Sequence, residues 1–132
     1  MRYYYSSLTI LFFCIILGSA APSWAQAALE NPQPGSFQSG IGLIRGWVCN
    51  ASRIDLEADG HINVQAVYRE SRDDVRLRGQ CDHSDVGFSF QINWAELGGG
   101  THTLRALADG AEFASATFTV TTLDEPTLLW AS

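Results

Sequence analysis

Apolar and polar residues alternate one for one through much of this chain, and a period of two is the signature of a β-strand with one face buried and the other in water. Ile54, Leu56 and Ala58 alternate with Asp55, Glu57 and Asp59. Asp59-Gly60 then reads as a turn, and Ile62, Val64 and Ala66 resume the alternation, so the two runs predict a hairpin. Phe88, Phe90, Ile92 and Trp94 stand opposite Ser89, Gln91 and Asn93, which predicts the clearest strand of the chain with its aromatic face in the core. Gly98-Gly99-Gly100 marks a reversal. A second hairpin follows: His102 to Ala108, an Asp109-Gly110 turn, then Ala114, Ala116, Phe118 and Val120 alternating with Ser115, Thr117, Thr119 and Thr121. Ile41 to Val48 is β-rich but interrupted by Gly42 and Gly46, positions where a strand bends or a neighbour approaches the backbone closely. No segment carries an apolar period of 3.6 over a useful length. Six or seven short strands at this spacing predict an all-β fold, an antiparallel β-sandwich of about seven strands in two sheets.

The N-terminus has a different grammar. Arg2 precedes the apolar run Leu8 to Leu17, which is the length of a signal-peptide core and about half the roughly 20 apolar residues that span a bilayer. Two small-residue frames behind it, Ser23-Trp24-Ala25 and Ala25-Gln26-Ala27, predict cleavage after Ala25 or after Ala27. The expected organisation is a signal peptide over 1–27, an extended lead-in over 28–35 containing Pro32 and Pro34, the sandwich over 36–122, and a C-terminal tail over 123–132. Such a chain is expected to be secreted or periplasmic, without stable membrane insertion. Of 14 acidic and 8 basic residues only Arg2 leaves with the signal, so the mature domain carries about −7. That charge argues against nucleic acid as a partner.

Export changes the meaning of the cysteines. Cys14 lies in the signal, which leaves Cys49 and Cys81, and two thiols in an oxidising compartment read most simply as one disulfide. A zinc site using His61 and His83 is the rival use, but no C-x-x-C or H-x-x-x-H spacing supports it. Between the hairpins, Tyr68 to Ser84 is polar and without apolar period, and is expected to be a long loop or irregular edge whose far end Cys81 pins.

Five stretches together resemble a known family. Gly42-x-Ile44-x-Gly46-Trp47, a strand ending in Asp59-Gly60, Tyr68-x-x-x-Arg72-x-Asp74-Val75, Gly87-Phe88-Ser89-Phe90 and Gly100-x-His102-Thr103-Leu104-x-Ala106 are similar, in that order, to the bacterial Ig-like domains. The run Gly35 to Gly42 is similar to the opening of a narrower, uncharacterised group of secreted bacterial proteins. The resemblance covers Asn31 to Thr122 and implies an Ig-like sandwich, a bacterial origin, an extracytoplasmic setting and no enzyme activity. The chain departs from the pattern at Arg69, where Gly is usual, and across Asp82, His83 and Val86.

The candidate sites are few. Asp55, Glu57, Asp59, Gly60 and Ile62 occupy positions 1, 3, 5, 6 and 8 of an EF-hand-like loop, but the twelfth position is Ala66 where a bidentate Glu belongs, so they are a weak calcium candidate. Asp82, His83 and Asp85 beside Cys81 read as a charged loop tip. No G-x-S-x-G or nucleophile-base pairing is present, and no catalytic residue or cofactor is expected. Arg72 and Asp74 are spaced for a charge-assisted hydrogen bond that folds their segment back. Tyr68, Arg72, Asp74 and Trp130 are the residues through which an unknown protein or glycan would be met, and Trp47 is expected beside the disulfide. The function expected is a non-catalytic binding or structural module. Alternatives are a calcium- or carbohydrate-binding adhesion module, or a secreted inhibitor acting through 68–84.

Overall fold

The alternation becomes nine strands in a computed structural model that describes residues 26–122. They are β1 (Ala27–Asn31), β2 (Phe37–Gln38), β3 (Ile41–Val48), β4 (Ile54–Ala58), β5 (Ile62–Gln65), β6 (Val67–Ser71), β7 (Asp85–Asn93), β8 (Gly100–Ala108) and β9 (Ala111–Val120). One short helix, α1 (Asp73–Leu77), and a 3-10 turn over Trp94–Leu97 complete the described residues. One sheet has the order β1-β3-β7-β6 and the other β2-β9-β8-β4-β5, and together they make an Ig-like β-sandwich. The signal peptide and the C-terminal tail lie outside the described residues.

Both expected hairpins are present, β4 with β5 and β8 with β9. Their turns share one cause: Asp59 and Gly60, like Asp109 and Gly110, all adopt positive φ, the condition of a primed turn whose twist matches the strands it joins. Every second residue of β4 is buried, and these meet Ile44, Val48, Phe88, Leu104, Ala106, Phe118 and Val120 in the core. Trp94 closes one end of that core, edge-on to Phe118 at 5.2 Å between ring centres. Gly46 is the close-approach glycine: a Cβ there would strike the Ala28 carbonyl of β1 and the Phe88 ring.

Two expectations need correction. The segment 28–35 is no free lead-in, because β1 pairs antiparallel with β3, Ala28 opposite Trp47, and so forms an edge of the first sheet. Two prolines hid it; both lie beyond Asn31, where a broken ladder costs nothing. The sandwich is also not wholly antiparallel, since β2 runs parallel to β9. Of the two expectations for 68–84, the irregular edge holds: β6 pairs with β7 at the edge of the sheet through an irregular register, and α1 then covers the outer face of the sheet. There Val75 packs with Trp47, Cys49, Cys81 and Val86 in a small second core. The segment lacked an apolar period because one valine, not a stripe, anchors it.

Candidate functional site

Four of the sequence's candidate residues gather on that covered face. Cys49 and Cys81 form the disulfide, with 5.4 Å between their Cα atoms, and Trp47 packs beside it. The Arg72 guanidinium donates to Asp74 Oδ1 and Oδ2 at 2.8 Å each, the short-range bond the spacing implied. It also reaches Glu30 on β1, at 2.5 and 3.1 Å, a partner 42 positions away that no local pattern could reveal. Arg78 adds a 2.6 Å bond to Asp74 Oδ2. The bonds to Asp74 and Glu30 hold the Arg72 charge more firmly than in water, and Arg72 in turn keeps both the Glu30 and the Asp74 carboxyl below their ordinary ranges. Arg72 and Asp74 therefore tie β1, α1 and the start of the 72–84 segment to one another.

Tyr68 is likewise engaged inward. Its hydroxyl donates to the Val48 carbonyl at 2.5 Å, and burial raises its pKa. Trp130 lies outside the described residues. Of the charged tip, Asp82, His83 and Asp85 are exposed. Of the three calcium candidates Asp55 and Glu57 lie on the outward face of β4 and Asp59 in the turn after it, and they share no common point because each has a separate partner. Asp55 accepts from Arg53 at 2.9 Å, Glu57 from Arg105 at 2.8 Å, and Asp59 lies 2.6 Å from His102 Nδ1. Among the described residues no group of three or more His, Cys, Asp or Glu side chains is placed to hold a metal ion.

His102, near the start of β8, clamps two turns. Its Nε2 lies 2.7 Å from the Gly98 carbonyl, so both ring nitrogens face acceptors, which favours the doubly protonated ring. Burial works against the charged ring, but the Asp59 carboxylate and the Gly98 carbonyl outweigh it and raise its pKa. Burial works in the same sense against the Asp59 anion, and the Thr103 amide and His102 overcome it and lower its pKa.

Two of the hollows among the described residues have contrasting walls. One, of about 300 Å³, opens between the sheets and is largely apolar, with Ile62, Val64, Phe90, Ile92 and Leu97 in its lining. The other, of about 340 Å³, lies beside the disulfide and is lined by Cys49, Asn50, Ala51, Ser52, Arg69, His83 and Asp109. Sequence reasoning noted Arg69 only as an unusual residue; its place in a hollow depends on a turn 40 residues downstream, at Asp109.

No family model and no curated protein matches the chain. Among solved structures it is similar to part of the endo-beta-1,4-mannanase from Thermotoga petrophila, with a TM-score of 0.52 at 10% identity. That likeness covers 73% of this chain and 19% of the mannanase chain, so the domain spans about a fifth of that protein's length. The fibronectin(III)-like modules of Clostridium thermocellum CbhA align over 73% of this chain and 94% of theirs, at 13% identity and a TM-score of 0.36. At such identities the mannanase likeness speaks for a shared fold. No helix among the described residues is long and apolar enough to cross a membrane.

Proposed function

We propose that this chain is an exported, non-catalytic binding module whose ligand is a glycan. The observation that carries the reading is the effort spent on a polar segment: a disulfide, the Glu30–Arg72–Asp74–Arg78 cluster and a second small core all hold 72–84 rigid against the sheet. Rigid display lowers the entropy lost when a partner binds. A glycan is favoured because Asn50, Ser52 and His83 line the hollow beside the disulfide, and Asn31 and Gln91 stand beside the exposed Ile41 and Leu43 in a second, shallow trough, the mix of amides and apolar surface that a sugar's hydroxyls and C–H face would meet. Export is supported by the Leu8 to Leu17 run and by a disulfide, which persists in an oxidising compartment.

The test is a glycan array probed with the exported, oxidised protein, together with a panel of glycosidase substrates. Retention of defined glycans without turnover is the expected result. An array that retains nothing, or turnover lost on changing Asp82, His83 or Asp85, overturns the reading. A second reading, an inhibitor that meets a protein through 68–84, is favoured by Leu77, which stands 73% exposed on α1.

A further inference from the structure

Six arginines of the described residues, Arg45, Arg53, Arg72, Arg76, Arg78 and Arg105, each have a carboxylate within 4.0 Å. Arg69 has none. In a domain with twice as many acidic as basic residues outside the signal, an arginine without a carboxylate is unusual, and the way it is held is more so. Its guanidinium lies over the Tyr68 ring, 5.5 Å from the centroid, and spends one bond of 3.3 Å on the Ala51 carbonyl. Stacking and that bond orient the group while leaving other N–H donors open.

The backbone adds a second, independent sign. Arg69 has φ 72°, in the left-handed region that glycine enters freely and a long side chain enters under strain, at a point where the β6–β7 register slips. The other two non-glycine residues there, Asp59 and Asp109, have a structural return for their strain. Asp59 accepts from the Thr103 amide, and Asp109 accepts from the amides of Ser52 and Arg53, at 2.9 to 3.1 Å. Arg69 caps nothing of the kind. Its structural return is the one 3.3 Å bond to Ala51 and the stack on Tyr68, and strain kept for so little points to use.

We propose that the hollow formed by Arg69, His83, Asn50, Ser52 and Asp109 binds the carboxylate of an acidic sugar. The arginine fork matches a carboxylate in two parallel bonds. Asp109 is the opposing charge in this hollow, but its two oxygens are turned to the Ser52 and Arg53 amides, which offset it and fix that wall. His83 and Asn50 are exposed on the rim. The walls hold an amide, a hydroxyl and an imidazole and no large aliphatic side chain, which suits the ring hydroxyls of a sugar better than an apolar peptide side chain. Pockets of this order of volume, about 300 Å³ and more, accommodate small ligands. The inference rests on the glycan reading above and narrows it to a uronate and to one place.

The test is calorimetric titration of the oxidised protein with trimers of galacturonate and of glucuronate, and with their neutral methyl esters. The expected result is at least about tenfold tighter binding of one acid trimer than of its ester, a single bidentate ion pair being worth on that order. Arg69→Gly should lose that preference while melting at a higher temperature than the wild type, because glycine relieves the strain. Arg69→Lys keeps the charge without the fork and should bind weakly. Equal binding of acid and ester, binding of neither, or Arg69→Gly binding as tightly as the wild type overturns the proposal. If the array retains neutral glycans in any of these cases, the glycan reading stands and only this hollow is lost.

Discussion

Reducing the Cys49–Cys81 bond tests how far the pinned segment belongs to the cooperative fold. The two cysteines are 32 positions apart, so the closed loop has about 33 residues, and the chain-entropy relation gives about 3.7 kcal/mol at 25 °C for freeing it in the unfolded state. Reduction keeps both cysteines, 3% and 6% exposed, packed against Trp47, Val75 and Val86 and asks their sulfurs only to part to nonbonded contact, so little packing is lost in the folded state and most of the effect falls on the unfolded chain. For a domain of about 100 residues the unfolding entropy is about 0.2 kcal/mol/K, which turns that loss into a fall of about 18 °C in Tm. The assay is thermal melting followed by far-UV circular dichroism, on protein refolded with and without excess dithiothreitol. A single transition lowered by about 18 °C is expected. Melting within about 5 °C of the oxidised protein would refute the reasoning. It would mean that the loop is already constrained in the unfolded state, or that 72–84 opens separately from the sandwich.

Three further outcomes follow from other contacts. Arg72→Met removes the donor between Glu30 and Asp74 and should destabilise the domain by about 2 kcal/mol in urea unfolding, the order for a hydrogen bond to a charged group; no change would mean that solvent replaces the cluster without cost. The His102–Asp59 bond should be complete between about pH 4 and 6.5, from the ordinary pKa of Asp to that of His, and should weaken as pH rises through the raised pKa of His102 or falls through the lowered pKa of Asp59. Protection of the Thr103 amide, its exchange rate divided into the unstructured rate at the same pH, should therefore fall as pH rises through the raised pKa of His102, and His102→Gln should flatten that dependence. Gly46→Ala forces a methyl group onto the Ala28 carbonyl and the Phe88 ring and should cost about 2 to 3 kcal/mol by denaturant unfolding; a cost below about 0.5 kcal/mol would show that β1 yields freely.

The parts of the fold legible in the sequence are those written locally. Alternation at Ile54 to Ala58 and at Ala114 to Val120, and the Asp-Gly pairs between runs, specify strand faces and turns within a few residues of chain, because a pleated strand sends neighbouring side chains to opposite faces. The disulfide was legible by elimination, and Arg72 with Asp74 by proximity. What escaped was every pairing across the fold. The placement of β1 at a sheet edge depends on a β3 whose glycine lets the backbones meet, and the parallel β2–β9 pair has no turn to announce it. Glu30 looked like part of a lead-in until the sheet carried it to Arg72.

Sequence alone determined that this chain is a twisted alternation of short strands with a bond to form between Cys49 and Cys81. Only the tertiary structure decided which charges meet. It spends Tyr68, Arg72 and Asp74 inside the domain and leaves Arg69 in a hollow with no carboxylate of the described residues paired to it. The physical reason is range: strand character is settled among adjacent residues, whereas an ion pair, or its absence, is settled by whichever side chains the packed sheets bring within about 4 Å of one another.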